Sequence, residues 1–410
     1  MPDPGLAEAL VARLAAWRVP RVFGIAGAPL AEALHAVADP EFVPVRHAEA
    51  AAAMALAHAR LTGGLGVCLA PAGSAAFGLL GGLAAARRAA LPLLAIVSDQ
   101  PSVDADRVFA GMCRRVWHLS GVRRSADLLD EAVRSALAGP GPVCLVLPDP
   151  DPDPEPAGQP ADSQPRPAGQ AADSQPRSAG QAADSQPRPA GQAADFRLLA
   201  NGLPAGLAAD ARLPSAELPA GRGVDLRSVF DELSVRLPAR AAVTLDGEPG
   251  LTRYAHHLPA GTAVLTCDAH EAAGAALPSA VAAKLAAPQQ PVLALLGDDG
   301  MRPHGLSELV TIARRWPAWA DPRLVVLVLN TRAGYPGRPV ADDVPYAGWA
   351  RLLGLHGVRV DRPELVGAAW DEALGADRPC VLDLLVDPRA LHPHPSPPPI
   401  PTPLHSHTPA

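Results

Sequence analysis

The stretch PVLALLGDDGMRPHGLSELVTIARR sets two carboxylates, Asp298 and Asp299, between two glycines at the end of an apolar run. The run reads as a strand, and a helix is expected to open after a short loop, near Leu306. At the carboxyl end of a parallel strand, small residues admit backbone N–H groups to a phosphate, and a helix N-terminus favours its charge. A carboxylate there can hold a Mg²⁺ ion that bridges phosphate oxygens. The next apolar run, RLVVLVLN, ends in Asn330-Thr331 and offers neutral oxygen ligands at a neighbouring tip. Adjacent residues at a strand end point in opposite directions, so only one of the two acids is expected to reach the ion. Far earlier, VRHAEAAAAMALAHARLTGG places Glu49 in the first turn of an alanine-rich helix. An acid there is either a proton-handling group or a charge suited to the positive end of the helix dipole. Arg302, His304 and His47 lie beside these motifs and are candidates for holding a substrate carboxylate.

These residues need elements to carry them. From residue 1 to 150, runs such as VFGI, FVPV, GVCLA, LPLLAIVS and PVCLVLP alternate with alanine-rich segments of helix length. The pattern repeats over 222–390, with AAVTLD, TAVLT, PVLALLG and RLVVLVLN as strands and VDLRSVFDELSVRL and HEAAGAALPSAVAAKLA as helices. Apolar strands alternating with helices predict parallel sheets covered on both faces, hence an α/β fold class with two doubly wound domains. Between them, 151–221 carries an eleven-residue Pro/Ala/Gly/Gln repeat without large apolar residues and is expected to be a disordered linker. Residues 391–410 form a Pro/His tail of the same expected character.

Composition removes several classes. The net charge of −7 and the lack of a basic, aromatic-interleaved patch argue against nucleic acid as a partner. Aromatics make up 4% of the chain against 48% hydrophobic residues, so the core must be aliphatic and alanine-packed. Five scattered cysteines form no C-x-x-C pair, which suits a reducing cytoplasm and suggests neither a disulfide framework nor a zinc site. The N-terminus lacks a basic n-region and reads as a helix start rather than a signal peptide. Gly66–Ala86 is uncharged, but its Pro71-Ala72-Gly73 break predicts strand, loop and buried helix, not a membrane span. No catalytic-triad context, H-E-x-x-H or Walker motif occurs, and Gly24-Ile25-Ala26-Gly27 is too short for a dinucleotide fingerprint.

Taken in order, the segments VFGIAGAPLAEAL, VRHAEAAAAMALAHARLTG, PAGSAAFGLLGGLAAA, GAALPSAVAAKLA, the GDDG…N pair and PCVLDLLVDP resemble the thiamine diphosphate-dependent enzymes of the acetolactate synthase and 2-oxoacid decarboxylase superfamily. The resemblance implies an N-terminal pyrimidine-binding (PYR) domain and a C-terminal diphosphate-binding (PP) domain without the middle domain of many members. It implies thiamine diphosphate and Mg²⁺ as cofactors, a 2-oxo acid as substrate, and decarboxylation or carboligation as the reaction. It also implies a homodimer or homotetramer with the site at the subunit interface. By the family's motifs, Glu49 is the catalytic candidate, although counting from Arg46-His47 puts the family's Glu on Ala48, about 100° away on a helix. Gly73, Ala273, Gly274, Gly300 and Met301 fall on cofactor-binding positions. Asp299, followed by Gly300, falls on the metal position, with Thr331 or Asn330 and Ala333 completing the set; counting forward from Leu296-Gly297 gives Asp298 instead. Altered positions at Ala48, in the 72–78 loop, at Ala273 and at Thr331 open a second expectation, a catalytically inactive member of the fold that serves as a binding or scaffold partner.

Overall fold

The computed structural model describes residues 5–27, 29–71, 73–99, 104–119, 122–139, 141–148, 224–267, 273–332 and 344–386. The expected linker and tail lie outside them, as does Ala333.

The first half runs α1 (Leu6–Ala16), β1 (Arg21–Ile25), α2 (Pro29–His35), β2 (Glu41–Val45), α3 (Ala48–Thr62), β3 (Gly66–Ala70), a 3₁₀ stretch (Gly73–Leu79), α4 (Leu80–Arg88), β4 (Leu93–Ser98), α5 (Ala105–Phe109), β5 (Val116–His118), α6 (Val122–Ala138) and β6 (Val143–Leu147). The second half runs α7 (Leu226–Ser234), β7 (Ala242–Asp246), α8 (Pro249–Tyr254), β8 (Ala263–Cys267), α9 (Ala276–Ala286), β9 (Val292–Gly297), α10 (Asp298–Arg315), β10 (Leu324–Asn330), α11 (Tyr346–Leu352), β11 (His356–Val360), α12 (Val366–Gly375) and β12 (Cys380–Leu385). Among the described residues the strands form two six-stranded sheets, ordered β2-β1-β3-β4-β6-β5 and β11-β12-β10-β9-β7-β8. Every pairing within them is parallel. The expected pair of α/β domains is therefore present. The central strands β3, β6, β9 and β10 are buried throughout, which explains their unbroken apolar runs: both faces are covered by helices. Pro44 is tolerated because β2 is an edge strand with no ladder partner on one side.

Alanine has a structural reason. α3 is buried at Ala48 and at every position from Ala50 to Ala59, and α9 is buried from Ala276 to Leu285. The two helices pack against each other while each covers its own sheet, α3 on β1 and β3 and α9 on β7 and β9. Glycines let other elements approach α3 closely: a Cβ on Gly82 of α4 would sit 3.1 Å from the carbonyl carbon of Ala52, and one on Gly66 of β3 would sit 2.8 Å from that of Ala55. One hydrophobic cluster consequently runs from Phe23 and Val43 through α3 and α9 to Val326 and Val381. Separate clusters cover the outer faces, around Leu14 and Leu129 on the first sheet and around Phe230 and Trp370 on the second.

Two expectations on local structure need correction. The helix expected near Leu306 begins at Asp298, directly at the tip of β9. Asp298 and Asp299 suit its first turn, where they face the positive end of the dipole. Pro303 lies inside it; it removes only one N–H and leaves the Asp299 carbonyl without its i+4 donor. β5 and β11 have no counterpart among the expected strands: β5 is three residues long, and β11 carries polar His356 and Arg359 on a half-exposed edge. As expected, Gly66–Ala86 folds as strand, 3₁₀ turn and helix, and no helix among the described residues is long and apolar enough to cross a membrane. All five cysteines are buried thiols.

Candidate active site at the strand tips

Parallel strands bring the ends of β7, β9 and β10 together on one edge. Asp246 at the tip of β7 is buried, and its two oxygens accept the N–H groups of Gly274 at 3.0 Å and Ala276 at 2.9 Å. Gly274 has φ +86° and lies against Gly300, so a Cβ there would meet the Gly300 backbone. A Cβ on Gly300 would in turn lie 2.9 Å from the Gly274 backbone. The two glycines thus interlock where α9 and α10 begin, and a side chain on either is excluded.

At the tip of β9 the two acids part. Asp298 is buried, whereas Asp299 is exposed. Oδ2 of Asp298 accepts the Thr331 hydroxyl at 2.9 Å and its backbone N–H at 3.2 Å, tying the tips of β9 and β10 together. Arg302 donates to the same oxygen at 3.5 Å and to the Tyr346 hydroxyl at 3.4 Å. Burial raises the Asp298 carboxyl above its ordinary range, with the Thr331 hydroxyl pulling the other way. Asn330 is buried and turned from this edge: its amide donates to Asp383 at 3.0 Å and to the Val344 carbonyl at 3.3 Å, and its oxygen accepts the Arg332 N–H at 3.0 Å. Thr331, one residue past β10, is therefore the one that faces Asp298. Met301 is buried and Ala273 exposed.

A third acid joins them. Glu248, two residues beyond β7, folds its carboxylate over Gly297, where a Cβ would stand 2.6 Å from Oε2. The Gly297 N–H donates to it, yet Oε2 has no hydrogen-bond partner. Burial first, then Asp246, Asp299 and Asp298, pushes its pKa up to about 7. The strand end in AAVTLDGE carries Asp246 and Glu248, neither of which stands among the expected site residues.

Farther along α10, residues of the first half of the chain meet those of the second. Glu49 Oε2 lies 2.5 Å from His304 Nε2, the His304 and His47 rings are 4.5 Å apart, and Ser307 Oγ approaches His47 Nε2 at 3.4 Å. Burial, and then His304, lowers the His47 pKa. Ala48 is buried against Gly78, at the end of the 3₁₀ stretch that opens at Gly73 (φ +83°). The structure thus joins Glu49, His47 and His304 and places Arg302 elsewhere, beside Asp298. His304 is five residues from Asp299, roughly 8 Å along the helix axis. Next to this couple, Glu308 is fully buried with no hydrogen-bond partner on either oxygen. Burial pushes its pKa up to about 7, against the Thr311 hydroxyl and Arg46.

The donor set fits a cation and a diphosphate in kind. Asp298 and Thr331 are hard oxygen ligands at adjoining tips, the first turn of α10 presents N–H groups, and Gly274 and Gly300 leave the backbone bare. Among the described residues, no group of three or more His, Cys, Asp or Glu could hold a metal by side chains alone.

Comparisons with known proteins bear on this geometry. The family description "Thiamine pyrophosphate enzyme, N-terminal TPP binding domain" matches residues 5–117, and "Thiamine pyrophosphate enzyme, C-terminal TPP binding domain" matches 249–384. The acetolactate synthase isozyme 2 large subunit of Escherichia coli is 30% identical over 173 residues, 38% of this chain and 30% of that one. Pyruvate oxidase of Lactiplantibacillus plantarum is 30% identical over 156 residues, 34% of this chain and 26% of that one. The matches therefore span less than a third of either relative. A solved thiamine diphosphate-dependent 4-hydroxybenzoylformate decarboxylase of Rhodococcus jostii superposes with a TM-score of 0.65 at 16% identity, covering 94% of this chain and 99% of that one, a likeness of fold.

Proposed function

The chain belongs to the thiamine pyrophosphate enzyme family, and on that premise we propose that it is a Mg²⁺-dependent enzyme that decarboxylates a 2-oxo acid or joins the resulting acyl unit to an acceptor. The observation that carries this reading is the Asp298–Thr331 pair bridging the tips of β9 and β10 beside the first turn of α10.

Thiamine diphosphate, when bound, supplies a nucleophilic thiazolium carbon and an electron sink for the loss of CO₂. The remaining work falls to the chain's own residues. Asp298 offers its carboxylate and Thr331 its hydroxyl oxygen to the cation, with exposed Asp299 as the second acid within reach. The N–H groups of the first turn of α10 receive phosphate oxygens, and Gly300 and Gly274 let them approach. Glu49 Oε2 and His304 Nε2 stand within hydrogen-bond reach, an arrangement suited to handing a proton to or from a bound ligand, and the His47 ring packs against that of His304. We place the working assembly as a homodimer or homotetramer in the cytoplasm; five buried thiols suit that compartment.

A second reading has its own support. Glu248 lies at the helix N-terminus that a diphosphate would use, and Asn330 is committed to Asp383. Both suit an inactive member of the fold that binds a partner. Titration calorimetry with thiamine diphosphate and Mg²⁺, followed by CO₂ release from a panel of 2-oxo acids, separates the two. Binding with turnover of at least one acid is expected. No heat at millimolar coenzyme would end the enzymatic reading.

A further inference from the structure

Glu248 stands where the chain would cap α8, yet its side chain makes no bond to that helix. An acid at such a position ordinarily turns back onto its own first N–H groups. This one reaches across to β9 instead. Its carboxylate takes the volume that the missing side chain of Gly297 leaves open and accepts the Gly297 N–H. Gly297 is the N-cap of α10 and has no side chain to cap it, so Glu248 provides the negative charge at that helix end. One of its oxygens remains buried without a donor. Asp246, Asp298 and Asp299 surround it, and Arg302 is already paired with Asp298.

We propose that Glu248 is a built-in competitor for the anion site at the N-terminus of α10, an internal carboxylate that a cation-bound diphosphate must displace. Two anions cannot share one set of N–H donors, and like charges at this range repel strongly in a partly buried setting. Gly247, just before it, gives the backbone the freedom to carry the side chain out towards solvent. The inference rests on the coenzyme reading above only in naming thiamine diphosphate as one such ligand. A carboxylate serving only as a helix cap would leave diphosphate affinity unchanged when its charge is removed.

The test is calorimetry on the full chain at pH 8, where the carboxyl is ionised, wild type against Glu248→Gln, with Mg²⁺ and two ligands in turn: thiamine diphosphate and inorganic diphosphate. The variant should bind both about tenfold more tightly, since it keeps an acceptor for Gly297 and loses the charge. Equal or weaker binding of both ligands by a variant with unchanged melting temperature would overturn the proposal. If inorganic diphosphate gains and thiamine diphosphate binds neither protein, the competitor stands and the coenzyme reading falls. If neither ligand binds either protein, both fall. Should Glu248→Gln not fold, Glu248→Asp withdraws the carboxylate by one methylene. A several-fold gain is then expected, and unchanged affinity would again overturn the proposal.

Discussion

Asp298 and Asp299 differ by one position and have opposite surroundings, one held by Thr331 and Arg302, the other in solvent. Replacing Asp298 by Ala should abolish Mg²⁺-dependent coenzyme binding, measured by calorimetry. Asp299→Ala should weaken it less than tenfold; the reverse ranking would return the metal position to Asp299. The sequence located both acids through the glycines around them and favoured Asp299, which Gly300 follows. Side-chain direction at a strand end depends on where the next helix starts, and Pro303 made that start look later than it is. Glu308 supplies a second test, at a site the motifs did not mark. Its carboxyl holds a proton in the folded chain up to a pH of about 7, against 4.5 for an ordinary glutamate. The folded state therefore binds more protons across that window, and stability must fall as pH rises through it. Glu308→Gln should leave stability unchanged below the window and raise it by about 3 kcal/mol above it, read from denaturant unfolding at several pH values. A gain independent of pH would show that Glu308 does not carry this shift.

At the scale of elements, the alternation of apolar runs and alanine-rich segments was enough to foresee two parallel sheets, because strands buried on both faces leave an unmistakable mark. β5 and β11 left none: each lies at a sheet edge, where partial exposure permits polar residues. The alanine content was legible as composition, but its cause is the α3–α9 seam, a long-range pairing that no local pattern reports. Gly82→Ala should cost about 1–3 kcal/mol, because its methyl group would press on Ala52 where α4 packs closely against α3. Gly274→Ala should be worse for binding than for folding. It strains a residue at φ +86° and drives a methyl into Gly300, so coenzyme affinity should be lost before the melting transition disappears.

Across the molecule, the sequence divides into two halves that the interior joins. The cluster through α3 and α9 is shared, and polar ties cross the same boundary: Glu49 with His304, Glu41 with Arg315, and Arg60 with the Thr266 carbonyl at 3.3 Å. A single cooperative thermal transition is expected, with calorimetric and van't Hoff enthalpies in agreement; two resolved peaks would mean that the halves melt separately. Glu49→Gln tests a crossing tie as chemistry. Slower exchange of the coenzyme's thiazolium proton at unchanged coenzyme affinity is expected, whereas an unchanged rate would leave Glu49 as one half of a structural ion pair.

From Ala50 to Ala59, α3 is enclosed on every side and offers solvent no path to its backbone. Its amide protons should be among the last in the chain to trade for deuterium, released only when both sheets come apart together. The Glu49 end of that helix would then be a fixed anvil, and any motion that admits or expels a ligand beside it would fall to α10, which carries His304.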